Sequence, residues 1–281
     1  MKLSASLFLA FVCNLILIHN LSAQSEWKNW NSLNVDLSIS KKTDIGVSHL
    51  RSYTITNGFN NGFNQSGIDI NHDFTKKISG RAGILLNFFP GSSQTTSRYF
   101  ARVSHKLTFA DAIRWTNSLQ VERHSNTETR YRNRFIYITR LSPRRRLDFL
   151  NLSPSISYWL YYNAGGSAVQ YYDKTGMPGV QQSPNGFHRG RLYLNLNSKI
   201  SDHVSVSLYY MNQKEFNFLS ETNREMNVVD PNTGIVSRPF DDYNVVGCSL
   251  LLDFNLYKPK SKLKSKSSTK KDKSDSHGKE N

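Results

Sequence analysis

The residues best suited to chemistry sit in one stretch, between positions 113 and 138. Glu122 and His124 stand two apart, as do Arg130, Arg132 and Arg134. Side chains two apart share one face of a β-strand, because successive side chains point to opposite sides. Apolar Trp115, Leu119 and Val121 take the other face of the first segment, and Tyr131, Phe135 and Tyr137 that of the second. A hairpin turning at Thr127 then sets Glu122 opposite Arg132, with His124 near Arg130 and Gln120 near Arg134. Arg114 and Arg191 lie on the polar faces of segments with the same pattern. A wall of guanidiniums with one carboxylate attracts anions. The same wall fills an enclosed space with paired charges, as burial demands. The pairing follows from strand geometry and needs no ligand. A salt-bridge lattice is therefore the preferred reading, and a path for small anionic solutes the second.

Other chemistry has weaker support. A Ser–His pair in a barrel wall can cleave lipid if nucleophile and base lie within hydrogen-bond reach. His49, His72 and His105 share parity with apolar neighbours, and serines are abundant, but nothing has the form of a nucleophile elbow. A lipid-acting hydrolase stays as an alternative, with no catalytic residue assigned and no enzyme expected. There is no H-E-x-x-H and no cysteine pair after residue 23, so no metal or cofactor is expected. Asp230-Pro-Asn232-Thr-Gly234 opens like a calcium loop but lacks the downstream glutamate, and a β-turn explains it.

The elements that must position these side chains are strands. Leu33, Val35, Leu37 and Ile39 alternate with Asn34, Asp36 and Ser38, and the period recurs in eleven segments ending at Val246 to Leu256. Turns near 41–44, 75–77, 108–111, 140–147 and 201–203 are short. Connections near 57–64, 90–97, 163–186 and 215–242 are longer, with 125–128 an exception. Short turns on one rim and long loops on the other mark an outer-membrane barrel with its long loops outside. Most segments run about ten residues or more, the length a tilted strand needs to cross a bilayer. The fold expected is all-β, a single antiparallel transmembrane β-barrel over residues 24–257. Bacterial barrels use even strand numbers. Twelve strands are therefore expected, the last hidden between Gln24 and Asn31 or within 215–242, with ten as the alternative. The two longest loops are expected to hold hairpins, turning at Asp173–Gly176 and at Asp230–Gly234.

The ends carry different signals. Lys2, an apolar run from Leu7 to Ile18 and Leu21-Ser22-Ala23 form a secretory signal peptide, residues 1–23. The apolar core is shorter than a spanning helix requires. Cys13 leaves with it, and Cys248 alone cannot form an internal disulfide. The net charge of +15 invites nucleic acid as a partner, but nine lysines against Asp272, Asp275 and Glu280 place much of it in residues 258–281. That stretch is expected to be a disordered periplasmic tail. It lacks the interleaved aromatics that bind nucleic acid. Outer-membrane lipid is the expected surrounding.

Several features together resemble the domain-of-unknown-function 2490 family of Bacteroidota outer-membrane proteins. They are Ser22-Ala23-Gln24 followed by Trp27 and Trp30, a Lys41-Lys42 turn leading to a strand that ends at Arg51, and Leu119-Gln-Val-Glu122-Arg123 followed by Arg130-Tyr-Arg132-Asn-Arg134-Phe135. The resemblance covers roughly residues 24–257. It implies an outer-membrane barrel and carries over no catalytic or binding residue. A surface binding protein, acting through the loops at 163–186 and 215–242, is the third functional alternative.

Overall fold

The computed structural model describes residues 26–257 apart from 57, 110, 129–130, 184, 219–223, 226 and 238–240. Residues 1–23, expected to be a signal peptide, and the lysine-rich residues 258–281, expected to be a disordered tail, lie outside the described residues. The strands are β1 (Glu26–Ser38), β2 (Thr43–Thr54), β3 (Asn60–Asp73), β4 (Ile78–Phe88), β5 (Thr95–Phe109), β6 (Ile113–His124), β7 (Asn133–Pro143), β8 (Leu152–Ala164), β9 (Val169–Tyr172), β10 (Pro178–Gln182), β11 (Gly186–Lys199), β12 (Val204–Phe218), β13 (Arg224–Glu225) and β14 (Tyr243–Asn255). Eleven of them close one barrel in the order β1-β14-β12-β11-β8-β7-β6-β5-β4-β3-β2. The other three, β13-β10-β9, form a small sheet in the long loops. No helix among the described residues is long and apolar enough to cross a membrane.

The strand count corrects the expectation of twelve. The eleven alternating segments are the eleven barrel strands, and none is hidden. Residues 26–31 extend β1, and β13 belongs to the loop sheet. Closure does not need an even number here, because β1 and β14 pair in parallel, with Leu33 beside Leu250 and Val35 beside Leu252. All other neighbours in the barrel are antiparallel. An odd count also sends the two ends of the barrel to opposite rims. β1 starts at the long-loop rim, beside Thr54. β14 ends at the short-turn rim, beside Ser38.

The loop hairpin turning at Asp173–Gly176 is present as β9 and β10. Asp230–Gly234 is a hydrogen-bonded turn, Gly234 N–H donating to Asp230 O, without flanking strands.

Alternation fixes what each face carries. Outward stand Leu33, Val47, Ile68, Val103, Leu119, Phe135, Ile156, Leu208 and Val246, all large, apolar and exposed. Inward stand serines, asparagines, arginines and a few large aromatics. The buried side chains gather inside the barrel, mainly toward the long-loop rim. Trp30, Met211, Tyr243 and Val245 form one cluster, and Ile136, Ile138 and Tyr161 another. Gly247, inward on β14, makes the first cluster possible. A Cβ there would stand 2.1 Å from Cζ of Tyr209.

Candidate functional site: a plugged lumen above a polar chamber

β5, β6 and β7 build one half of the plug. Glu122 is 5% exposed and Arg134 is 4% exposed. Gln120 Nε2 donates to Glu122 Oε1 at 2.6 Å. The other carboxylate oxygen lies 3.1 Å from His124 Nε2, 3.6 Å from Arg134 Nη1 and 3.7 Å from Arg98 Nη1. Arg134 Nε donates to Asn163 Oδ1 on β8 at 3.2 Å, and Arg134 also bonds Tyr131 OH. Burying one carboxylate in this place requires such neighbours, since an unpaired buried charge is costly.

β11, β12 and β14 build the other half. Arg189 pairs with Glu215. Gln213 Nε2 donates to Glu215 Oε1 at 3.0 Å and to the Asp241 carbonyl at 2.8 Å, tying the plug to the loop before β14. Arg191 Nε donates to Gln213 Oε1 at 2.7 Å and Nη2 to Tyr243 OH at 3.0 Å. The Arg191 guanidinium lies 5.2 Å from the ring centre of Tyr161 and 5.7 Å from that of Trp30. Polar groups and aromatic rings thus share one packed layer across the lumen.

Beneath this layer, toward the short-turn rim, lies a cavity of about 580 Å³. Trp159, Tyr193 and Tyr209 line it next to the plug, and the rings of Trp159 and Tyr193 meet at a tilt of 44° with centroids 5.2 Å apart. Its wall is rich in hydroxyls, among them Ser104, Ser118, Ser155, Ser157 and Ser207. Three guanidiniums line it. Arg81 is held by Asp69 through bonds of 2.6 and 2.7 Å. Arg102 donates to the neutral amide of Gln120 at 2.6 Å and lies 5.5 Å from the Trp159 ring centre. Arg140 has no ion-pair partner among the described residues, and it is exposed within the barrel. Asn195 Oδ1, on the same wall, is buried without a hydrogen-bond partner. Nearer the rim, the lumenal residues Asp36 and Asn197 are half-buried and Arg114 is exposed.

The structure treats the sequence-derived cluster unevenly. Glu122, His124 and Arg134 come together as one buried unit, and Arg191 sits in the opposite half of the same plug. Arg114 shares the lumenal face of β6 but stands exposed at its short-turn end. Arg130 lies outside the described residues. Arg132 is exposed in the loop before β7 and does not pair with Glu122. The partner of Glu122 is Arg134, and that of Gln120 is Ile136. The hairpin centres one residue later than Thr127, which moves every partner by two. A shift of two preserves the face, so the lumenal assignment survives while the pairing changes. Tyr131 does not face outward but is buried at 4% exposure beside His124, because the chain has left the ladder there. The sequence reading also missed Arg98, Arg102 and Arg140. Their signal was present: each lies opposite in parity to outward Tyr99, Val103 and Leu141.

The family model described as protein of unknown function, DUF2490, matches residues 27–224. The chain belongs to this family. The match spans β1 through the first residue of β13 and takes in Glu122, His124, Arg134 and Arg191. Among solved structures, one described as the NanC porin in a rhombohedral crystal form is similar at 10% identity, with a TM-score of 0.40, over 67% of this chain and 87% of that one. A likeness that loose does not bear on what this DUF2490 barrel does. No curated protein sequence matches the chain.

One further polar pair lies on the outer wall of this DUF2490 barrel. His49 Nδ1 and Ser66 Oγ are 2.9 Å apart on β2 and β3. Leu33 and Leu86 flank them on the neighbouring strands. Nucleophilic catalysis also needs a group to orient the base and donors for an oxyanion. Among the described residues no third side chain bonds His49. The mutual bond satisfies two polar groups on an apolar face, which is sufficient reason for it. Among the described residues, no cluster of three or more His, Cys, Asp or Glu is placed to hold a metal ion.

Proposed function

We propose that this DUF2490 protein is an outer-membrane barrel, exported by residues 1–23 and standing with its long loops outside the cell. In this reading the chamber takes small anionic solutes from the periplasmic side, and the plug controls their passage across the membrane. The belt of exposed apolar side chains supports the membrane setting, because a soluble protein rarely exposes so large a contiguous apolar surface. Barrel strands of 11 to 15 residues are long enough to cross.

The observation that carries the solute reading is the chamber itself. A cavity with guanidiniums at Arg102 and Arg140, neither held by a carboxylate, is a place of positive potential walled by hydroxyl donors. The plug above it is packed, so passage requires the layer around Glu122 and Arg134 to part.

Planar-bilayer recording tests this. The wild-type barrel should pass little steady current. Glu122→Ala should raise the open probability, and the current should favour anions. Arg140→Gln in that background should reduce the preference. A steady unselective current through the wild type, or an unchanged preference in the Arg140→Gln barrel, would overturn the reading.

A further inference from the structure

The short-turn rim carries a pattern that the lumen does not explain. Its turns hold Lys41-Lys42, Lys76-Lys77 and Arg144 to Arg146, all exposed. Two acids there are committed: Asp111 to Arg144 and Asp202 to Lys199. Lys42, Lys76, Lys77 and Arg145 have no ion-pair partner among the described residues, while Asp148 is an unpaired acid in the same turn as Arg145.

Large apolar side chains stand at the same level. Phe149 is 74% exposed, Leu150 is 64% exposed, and Phe74 and Leu256 are also open. The turn at 144–151 is built to keep them out. Leu150 and Asn151 both have φ of 49°, a left-handed conformation costly to residues with a Cβ. Hydrogen bonds brace it. Arg146 Nη1 donates to the Asn151 carbonyl at 2.9 Å, Ser198 Oγ to the Leu150 carbonyl at 2.7 Å, and Asn151 Nδ2 to the Lys199 carbonyl at 3.3 Å. A strained turn held by a neighbouring strand, with its apolar side chains outward and cations beside them, suits one surrounding. Apolar groups enter the acyl boundary of a leaflet, and the cations meet its headgroups.

We infer that the short-turn rim, centred on Phe149, Leu150 and Arg145 with Lys76 and Lys77, is a collar that binds anionic phospholipid headgroups. This rests on the reading that the barrel spans a membrane. It adds that the leaflet facing the short turns is selected for negative charge. A water-borne acidic partner would meet the cations but would leave Phe149 and Leu150 in water, which is why lipid is the better occupant.

The test uses the full chain in phosphatidylethanolamine vesicles with and without phosphatidylglycerol. Heat-modifiable gel migration first reports whether the barrel has inserted; failure to insert would remove the membrane reading and this inference with it. For the inserted barrel, native mass spectrometry reads retained phosphatidylglycerol. Lys76→Gln, Lys77→Gln and Arg145→Gln together should weaken the preference on the order of a hundredfold, if each cation contributes roughly a factor of five. Lys174→Gln, at a long-loop hairpin tip, should leave it unchanged. A nitroxide attached through F149C in a Cys248→Ser background should be shielded from a water-soluble relaxant. Equal retention by the triple variant and the wild type, with the F149C label open to water, would overturn the collar alone. The cations would then belong to a soluble acidic partner.

Discussion

Replacing Glu122 by alanine perturbs the plug at the acceptor shared by its β5–β7 half. The carboxylate faces two guanidiniums at 3.6 and 3.7 Å, His124 at 3.1 Å and the Gln120 amide at 2.6 Å. At an effective dielectric constant near 20, a charge pair at such a distance is worth roughly 4–5 kcal/mol before desolvation is subtracted. Removing the carboxylate leaves Arg134, which is buried, with no negative partner. Breaking a buried pair in this way costs about 3–5 kcal/mol. Denaturant unfolding of the refolded barrel, followed by heat-modifiable migration, measures it. Arg134→Ala in the Glu122→Ala background should recover part of the loss, because the orphaned cation is then gone. The coupling between the two should be about 1–3 kcal/mol. A loss under about 1 kcal/mol that adds simply to that of Arg134→Ala would show that the charges do not hold the plug.

Three further outcomes follow from particular residues. Gly247→Val should push the Tyr209 ring out of the layer above the chamber and cost about 1–3 kcal/mol by overpacking, measured by the same unfolding assay. With β1 starting at the long-loop rim, an epitope placed after Gln24 should be reached by antibody on intact cells, while one at the C-terminus should be reached only after the outer membrane is opened. Deleting residues 258–281 should leave the barrel folded and heat-modifiable, because no barrel strand is lost; failure to assemble would place part of the insertion signal in that segment.

How much of this was legible in the sequence depended on contrast between strand faces. Where one face was apolar and the other polar, as in β1 or β6, alternation located the strand and its inward side chains. The count of eleven was visible, and a rule of closure, not the residues, argued it up to twelve. The residues do not announce a parallel seam, since β1 and β14 alternate like any other pair. In β8 the period fades: Ile156, Tyr158 and Leu160 face out while Trp159 and Tyr161 face in. Aromatic rings on both faces hide the fact that one set plugs the lumen. The pairing of Glu122 with Arg134 depended on the centre of the connection at 125–132, which has no Gly or Pro to fix its turn. Arg98, Arg102 and Arg140 were readable by parity, but all three lie outside the stretch from 113 to 138 in which the charged residues cluster along the sequence. The chamber was out of reach, because it is a volume left between nine strands and no local pattern encodes it.

The central claim is that the lumen is closed toward the long loops and open, as a positive chamber, toward the short turns. Thiol access to Ser155→Cys in a Cys248→Ser background tests it directly. The barrel is placed in proteoliposomes of known sidedness, and charged methanethiosulfonate reagents are added to either side. Reaction should occur from the short-turn side, faster with the anionic reagent than with the cationic one, and hardly at all from the long-loop side. Equal rates from both sides, or a preference for the cationic reagent, would contradict the account.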